Sequence, residues 1–292
     1  MKKNWIYLLF AFIVITSCTK EESSEGGWEK VNATDLGANV ITSIAVTGSN
    51  IFAVSSNITK TLYKSADGGT SWTAVTNLPK NIITVTAYNL YIFAGTAAGI
   101  YRTADNGANW QEVNTGLPLI SGSVGTCSLF VSNSKLYAKY DGDIYALSNS
   151  GDSWNNLTAT LTVTPVRGFI EYDGYFIVST SQGVFYSGNN GASWKASIYD
   201  IRYINVFEAT GQAVVAGAQT YTYYSFDLGL NWSKGTIKDE PMATPWVECF
   251  AKSGNTLFAG VQTKGVYTSV NNGMSWSEFN TGIEPVTSIW AM

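Results

Sequence analysis

Beyond residue 18 the chain runs in short stretches that alternate apolar with polar positions, broken every few residues by glycine, asparagine or aspartate. Residues 82–113 show the pattern clearly. Ile82–Ala87, Tyr91–Gly95, Gly99–Thr103 and Trp110–Val113 are each rich in β-branched or aromatic residues, and turn-forming residues separate them. A period of two with such spacing predicts four consecutive strands. No stretch after residue 18 carries a helical period. The first 18 residues read differently: Lys2 and Lys3 precede an unbroken apolar run over residues 5–15. That run is shorter than the roughly 20 residues a membrane span needs and has the form of a signal segment.

The four-strand unit recurs. One frame returns as Ser65, Asp67, Gly69 and Trp72, then as Thr103, Asp105, Gly107 and Trp110. It returns again as Ser187, Asn189, Gly191 and Trp194, as Ser225, Asp227, Gly229 and Trp232, and as Ser269, Asn271, Gly273 and Trp276. A degenerate copy carries Asn149, Gly151 and Trp154. An isolated tail of the frame begins at Trp28, and successive tryptophans are 38 to 44 residues apart. About forty residues in four short strands is the period of a propeller blade. Each frame is expected to be a hairpin between third and fourth strands. Its Asp or Asn side chain accepts turn N–H bonds, and its glycine takes a positive φ. The aromatic nine residues before each Trp lies on the partner strand. Because three of the six copies carry Asn, these positions are structural rather than catalytic.

The S/T-x-D-x-G-x-x-W frame resembles the Asp-box of the BNR-repeat propellers, over residues 28–292. The resemblance implies an all-β propeller of four-stranded antiparallel blades. Six full units are counted, with orphan strands at Trp28–Asn32 and Val286–Met292. Sharing these two strands in one incomplete blade predicts seven blades, the chain stopping inside an apolar strand as a shortened reading frame would; six is the alternative. Ile15-Thr16-Ser17-Cys18 resembles a bacterial lipobox. That resemblance implies cleavage and lipidation at Cys18, and Thr19 after it implies the outer membrane of the cell envelope. The chain then divides into a signal peptide (1–18), a polar tether (19–27) and the propeller (28–292).

Charge and composition narrow the function. The net charge is −4, there are 17 lysines and arginines, and no basic stripe is visible, so a nucleic-acid partner is not expected. Histidine is absent, which removes Ser-His-Asp and Cys-His nucleophile systems and His-ligated zinc. No metal cluster and no cofactor motif are found. Cys127 and Cys249 fall in different repeats and read as small core residues rather than a disulfide.

Connections between blades open at one mouth of a propeller's channel. Aligning the first strands on Ile44, Val85, Leu129, Phe169, Phe207, Phe250 and Ile289 places Thr42, Ile83, Cys127, Arg167, Asn205, Glu248 and Thr287 two residues nearer that mouth. Neighbouring connections add Asp200, Arg202, Tyr203, Asp239, Glu240 and Trp246. An arginine, an acid and an aromatic beside a channel suit a sugar or a peptide carboxylate. Arg167, Arg202, Tyr203, Asn205, Trp246 and Glu248 are therefore the candidate ligand-binding residues. An ordinary solvated rim, its charges serving only solubility, is the bland alternative.

Resemblance to sialidases would imply a carboxylate held by three arginines. Arg102, however, lies beside an Asp-box away from the mouth, and the Arg-Ile-Pro motif is missing. Resemblance to xyloglucan-active propellers would imply a carboxylate pair, for which Glu248 with Asp200, Glu208 or Asp239 are the candidates. Those enzymes use a cleft between two propellers, and this chain has one. Its repeat style is also similar to the photosystem II stability/assembly-factor group and to the sorting-receptor propellers that hold peptides. The expected protein is thus a non-catalytic envelope binding or scaffold lipoprotein, its partner a glycan or an envelope protein. A glycoside hydrolase is the alternative, and a non-functional relic of a longer propeller is a third.

Overall fold

Each tryptophan frame forms a hairpin joining the third and fourth strands of a sheet. The protein is seen in a computed structural model, which describes residues 36, 41–56, 60–79, 81–118, 127–198, 201–219, 221–237 and 246–283. In the first hairpin the Ser71 N–H donates to Asp67 Oδ1 at 2.9 Å, and the Gly69 N–H donates to Ser65 Oγ at 2.8 Å. The Trp72 indole N–H closes on the Gly69 carbonyl at 3.0 Å. Gly69 itself has φ 92°. Asn189 and Asn271 accept the same backbone bond at 2.9 Å as the aspartates do. In the degenerate copy Leu147 stands where the others place Ser or Thr. There the Trp154 indole reaches back instead to the Val113 carbonyl of the preceding sheet, at 2.9 Å.

Hydrogen bonding from Ser71 and Ser65 holds the Asp67 carboxyl down to about 2, and the Thr103 and Asn109 bonds do the same for Asp105. These bonds call for an acceptor oxygen, which an amide also supplies. We therefore expect Asp67→Asn to leave the thermal unfolding midpoint within about 2 °C of the parent by calorimetry. A larger fall would show that the charge itself matters.

Among the described residues the hairpins build six sheets. The seven-blade expectation is corrected to six: each sheet carries its own tryptophan hairpin, and six such hairpins exist. The orphan strands assigned to a shared seventh blade lie outside the described residues, as do the signal peptide, Cys18 and the tether. Within each sheet all four neighbours run antiparallel in chain order, for example Ile82–Tyr88, Tyr91–Thr96, Gly99–Thr103 and Gln111–Glu112 in blade two. Blade six gains a fifth strand, Thr236–Ile237, which pairs parallel with Ser275–Glu278 on its outer edge. Among the described residues no helix is long and apolar enough to cross a membrane.

The apolar alternation packs blade on blade. Phe52, Val54 and Leu62 of blade one meet Ile82, Val85 and Ile92 of blade two. Phe93 and Ile100 of blade two meet Leu129, Leu136 and Trp154 of blade three. Ile170 and Ile177 of blade four meet Ile204, Phe207 and Trp232 of blade five, and Val215 of blade five meets Val247, Phe250 and Trp276 of blade six. Trp110, Trp154, Trp194, Trp232 and Trp276 thus pack at a junction with the preceding blade, whereas Trp72 packs within blade one and against Leu36. Polar ties reinforce the same junctions. Arg102 on blade two pairs with Asp152 at 2.8 Å and donates to the Gly151 carbonyl at 2.6 Å on the hairpin of blade three.

Candidate functional site

The first strand of every blade lines a central cavity of about 1010 Å³. Its wall takes residues from all six blades, including Thr42, Thr84, Ser128, Arg167, Asn205 and Glu248. The row aligned in sequence is for the most part a row of β-bulges. Pairing shifts register between Ile41 and Ser43, Ile82 and Thr84, Ile204 and Val206, and Val247 and Cys249, leaving Thr42, Ile83, Asn205 and Glu248 as the extra residues. In blade four the Arg167 N–H donates to the Ser179 carbonyl at 2.8 Å, and the Ser179 N–H returns to the Gly168 carbonyl at 3.0 Å. A bulge kinks its strand and re-aims one side chain, here toward the cavity at Thr42, Asn205 and Glu248.

The other expected positions separate into groups. Ile83 and Cys127 turn into the apolar junction between blades two and three and do not line the cavity. Neither Cys127 nor Cys249 is in a disulfide, and burial pushes both thiols up to about 12. Tyr203 lies outside the cavity wall, but the Arg167 guanidinium sits 5.8 Å from its ring centre. Arg202 is exposed and Trp246 is half-buried, and neither lines the cavity. Asp200, Asp239 and Glu240 lie outside the described residues.

Four charged wall residues, Lys139, Glu171, Asp173 and Lys252, were not picked out in sequence. Lys139 lies on the second strand of blade three, where the corresponding residues of the other blades are Val54, Gly95, Ser179, Gly217 and Gly260. Its Nζ donates to the Arg167 carbonyl at 2.7 Å, as Ser179 Oγ donates to the Ile204 carbonyl one junction later at 2.9 Å. A lysine alone in a column of small residues was a legible signal. Burial first, and the Arg167 charge second, push the Lys139 ammonium below its usual range.

Glu171 and Lys252 share another column, otherwise filled by Val46, Ala87, Val131 and Ala209. Glu171 is 6% exposed. It accepts from Lys135 Nζ at 2.8 Å, from Asn133 Nδ2 at 3.0 Å and from the Tyr137 hydroxyl. Glu208, on the first strand of blade five, accepts the Ala209 N–H at 2.9 Å, and burial pushes its carboxyl up. Glu248 is pushed up by burial alone.

Tyr203 adds a conformational signal. Its φ is 61°, and its side chain is 49% exposed. A bulky residue in the left-handed region costs on the order of 1–3 kcal/mol and collects at ligand sites. Most other non-glycine residues of the chain with positive φ are asparagine, aspartate or serine.

Among the described residues no group of three or more potential metal ligands converges. The cavity instead offers planar hydrogen-bonding groups on a rigid frame, a geometry that grips a polyhydroxylated or acidic ligand.

Comparison with known proteins agrees with the fold. A family model described as the DUF6242 beta propeller domain matches residues 8–127. A xyloglucanase from Paenibacillus sp is 28% identical over 215 residues, covering 67% of this chain. The chain spans only 21% of that enzyme's length. Among solved structures, YCF48 from Cyanidioschyzon merolae is 13% identical with a TM-score of 0.58, over 82% of this chain and 84% of that one. YCF48 bound to D1 peptide is 18% identical with a TM-score of 0.62, over 82% of this chain and 81% of that one. The extracellular domain of the putative one component system BT4673 from B. thetaiotaomicron is 16% identical with a TM-score of 0.65, over 87% of this chain and 36% of that one. The chain is a β-propeller similar to these proteins and to the Asp-box propellers.

Proposed function

We propose that this protein is a binding module of the bacterial cell envelope, anchored by lipid at Cys18, which holds a glycan in the mouth of its channel. One observation carries the reading. Three consecutive blades deliver Arg167, Asn205 and Glu248 to the same cavity wall, and two of the three stand on bulges. Guanidinium, amide and carboxylate are planar groups that engage neighbouring hydroxyls in pairs. A sequence relative that acts on xyloglucan makes that polysaccharide the first probe. A protein segment is the competing ligand, since a structural neighbour holds a peptide.

A second reading rests on Glu208 and Glu248. Both line the cavity, and both are carboxyls pushed up by burial. A carboxyl that holds its proton more readily than usual has the character of a general acid opposite an ionised partner. On this reading the protein hydrolyses a glycan.

Affinity electrophoresis through gels containing xyloglucan and other envelope or plant polysaccharides separates the two. The binding reading expects retardation in at least one gel, weakened about tenfold by Arg167→Ala or Glu248→Gln, with no new reducing ends released. Release of reducing sugar that Glu248→Gln or Glu208→Gln abolishes would establish the hydrolase instead. Absence of retardation across the panel would sink the glycan reading. Cell fractionation of wild type and Cys18→Ala tests the anchor, which predicts loss of the protein from the outer membrane in the variant.

A further inference from the structure

We infer that the corner of the channel formed by Arg167 and Lys139, with Tyr203 bracing Arg167 from outside the wall, is a carboxylate subsite, and that the glycan held there contains a uronic acid. This rests on the channel being a glycan site and adds the charge of the sugar. Arg167 is always protonated and presents five N–H donors in a fixed fork. Its guanidinium lies 5.8 Å from the centre of the Tyr203 ring. Lys139 approaches from the preceding blade and gives one N–H to the Arg167 main-chain carbonyl at 2.7 Å, which leaves two donors.

Among the described residues the ion pairs are Arg102 with Asp152 and Lys135 with Glu171, and neither lies in this corner. Among the described residues two cations therefore share one stretch of cavity wall with no carboxylate in ion-pair range of either. Arg102, by contrast, has Asp152. The counter-charge missing from the corner is one that a ligand can bring, and a carboxylate matches the guanidinium fork with two parallel bonds.

The sugar as the source of that carboxylate follows from the glycan reading of the channel. The ring of Tyr203, held at φ 61° and half-exposed, braces the guanidinium from outside the cavity wall. Asn205, Glu248 and Thr42 continue the wall with groups that bind hydroxyls. Lys139 replaces a small residue of its column, so its amine enters the cavity at a point where other blades place none.

Isothermal titration of the full chain tests this with trigalacturonate and with the same oligomer after reduction of its carboxyl groups. The subsite predicts that trigalacturonate binds at least about tenfold more tightly than the reduced, neutral oligomer, and that added salt weakens it. Arg167→Gln should erase that difference and Lys139→Met should narrow it, with thermal melts confirming that both variants fold. Should Arg167→Gln fail to fold, Tyr203→Ala serves in its place, because removing the brace should also narrow the gap. Equal affinity for acidic and neutral oligomers would overturn the carboxylate subsite and leave the glycan reading standing. Binding of a peptide with a free terminal carboxylate, but of neither oligomer, would overturn the sugar as its source. If no glycan of any kind binds, the underlying reading fails first.

Discussion

Trp276→Ala should destabilise the protein by about 3–5 kcal/mol, the cost of emptying a buried indole site. Trp276 is 1% exposed, and its ring stacks on Phe250 at 5.8 Å and 18°. Its indole N–H donates to the Gly273 carbonyl at 3.1 Å, so the substitution also unlatches the hairpin. The indole packs against Val215 of the preceding blade as well, and the damage extends across a junction. Trp110→Ala is the control. Trp110 is only half-buried, and its indole N–H has no partner. It should lose clearly less. Urea unfolding followed by fluorescence and circular dichroism gives both values, and coincident transitions are needed because repeat arrays can unfold in parts. Equal losses at the two sites would show that burial and latching do not set the strength of these hairpins.

The second large effect is expected at Glu171. Glu171→Ala should cost about 2–3 kcal/mol, because it strips the Tyr137 hydroxyl and Asn133 of their acceptor. The ion pair adds less than a fully buried one, since the Lys135 side chain is 54% exposed and can turn to water. The site also ties two blades together: Ser132 Oγ donates to the Glu171 carbonyl at 3.1 Å and accepts the Glu171 N–H at 3.0 Å.

The pH dependence has a definite sign. Burial raises the Glu171 carboxyl, but the bonds from Lys135, Tyr137 and Asn133 outweigh it, and the net position lies below the ordinary 4.5. A carboxyl that ionises more readily when folded stabilises the fold fully above the unfolded value, near 4.5, and the contribution disappears as pH falls through the lower folded value. The parent should therefore lose stability below about pH 4.5 more steeply than Glu171→Gln, whose acid limb should be flatter. Urea midpoints from pH 7 down to pH 3 compare them. Parallel acid limbs would mean that Glu171 does not titrate as its partners require. The Tyr137 hydroxyl, raised by burial and then by Glu171, stays protonated throughout and remains the donor.

Much of the architecture was legible in the chain. The tryptophan frame, its positive-φ glycine and its Asn-or-Asp acceptor depend on residues no more than eight apart. Local geometry alone determines them, and five folded hairpins carry the expected acceptor bond, while in the degenerate copy Ser148 Oγ takes the Ser153 N–H. The aromatics nine residues upstream do lie on the partner strand, where antiparallel pairing sets each opposite the residue two after the tryptophan. The reading missed the hydroxyl of Ser65 and its equivalents as an acceptor for the glycine N–H, although Ser or Thr recurs at that place.

Other features depend on how blades meet. Ile83 and Cys127 occupy the same aligned row as Arg167, yet they turn into a junction because the neighbouring blade offers an apolar surface there. Lys139 and Glu171 belong to columns visible only when second and first strands are compared across blades, and their partners come from a different blade, 28 and 34 to 38 residues away. Blade number likewise could not follow from counting strands, since two orphan runs fit either six or seven. The chain alone determined the repeating unit, because strand period, turn chemistry and the indole latch are short-range. The wall of the channel was decided only by the tertiary structure, because bulges, burial and the pairing of charges across junctions arise where separate units are brought face to face.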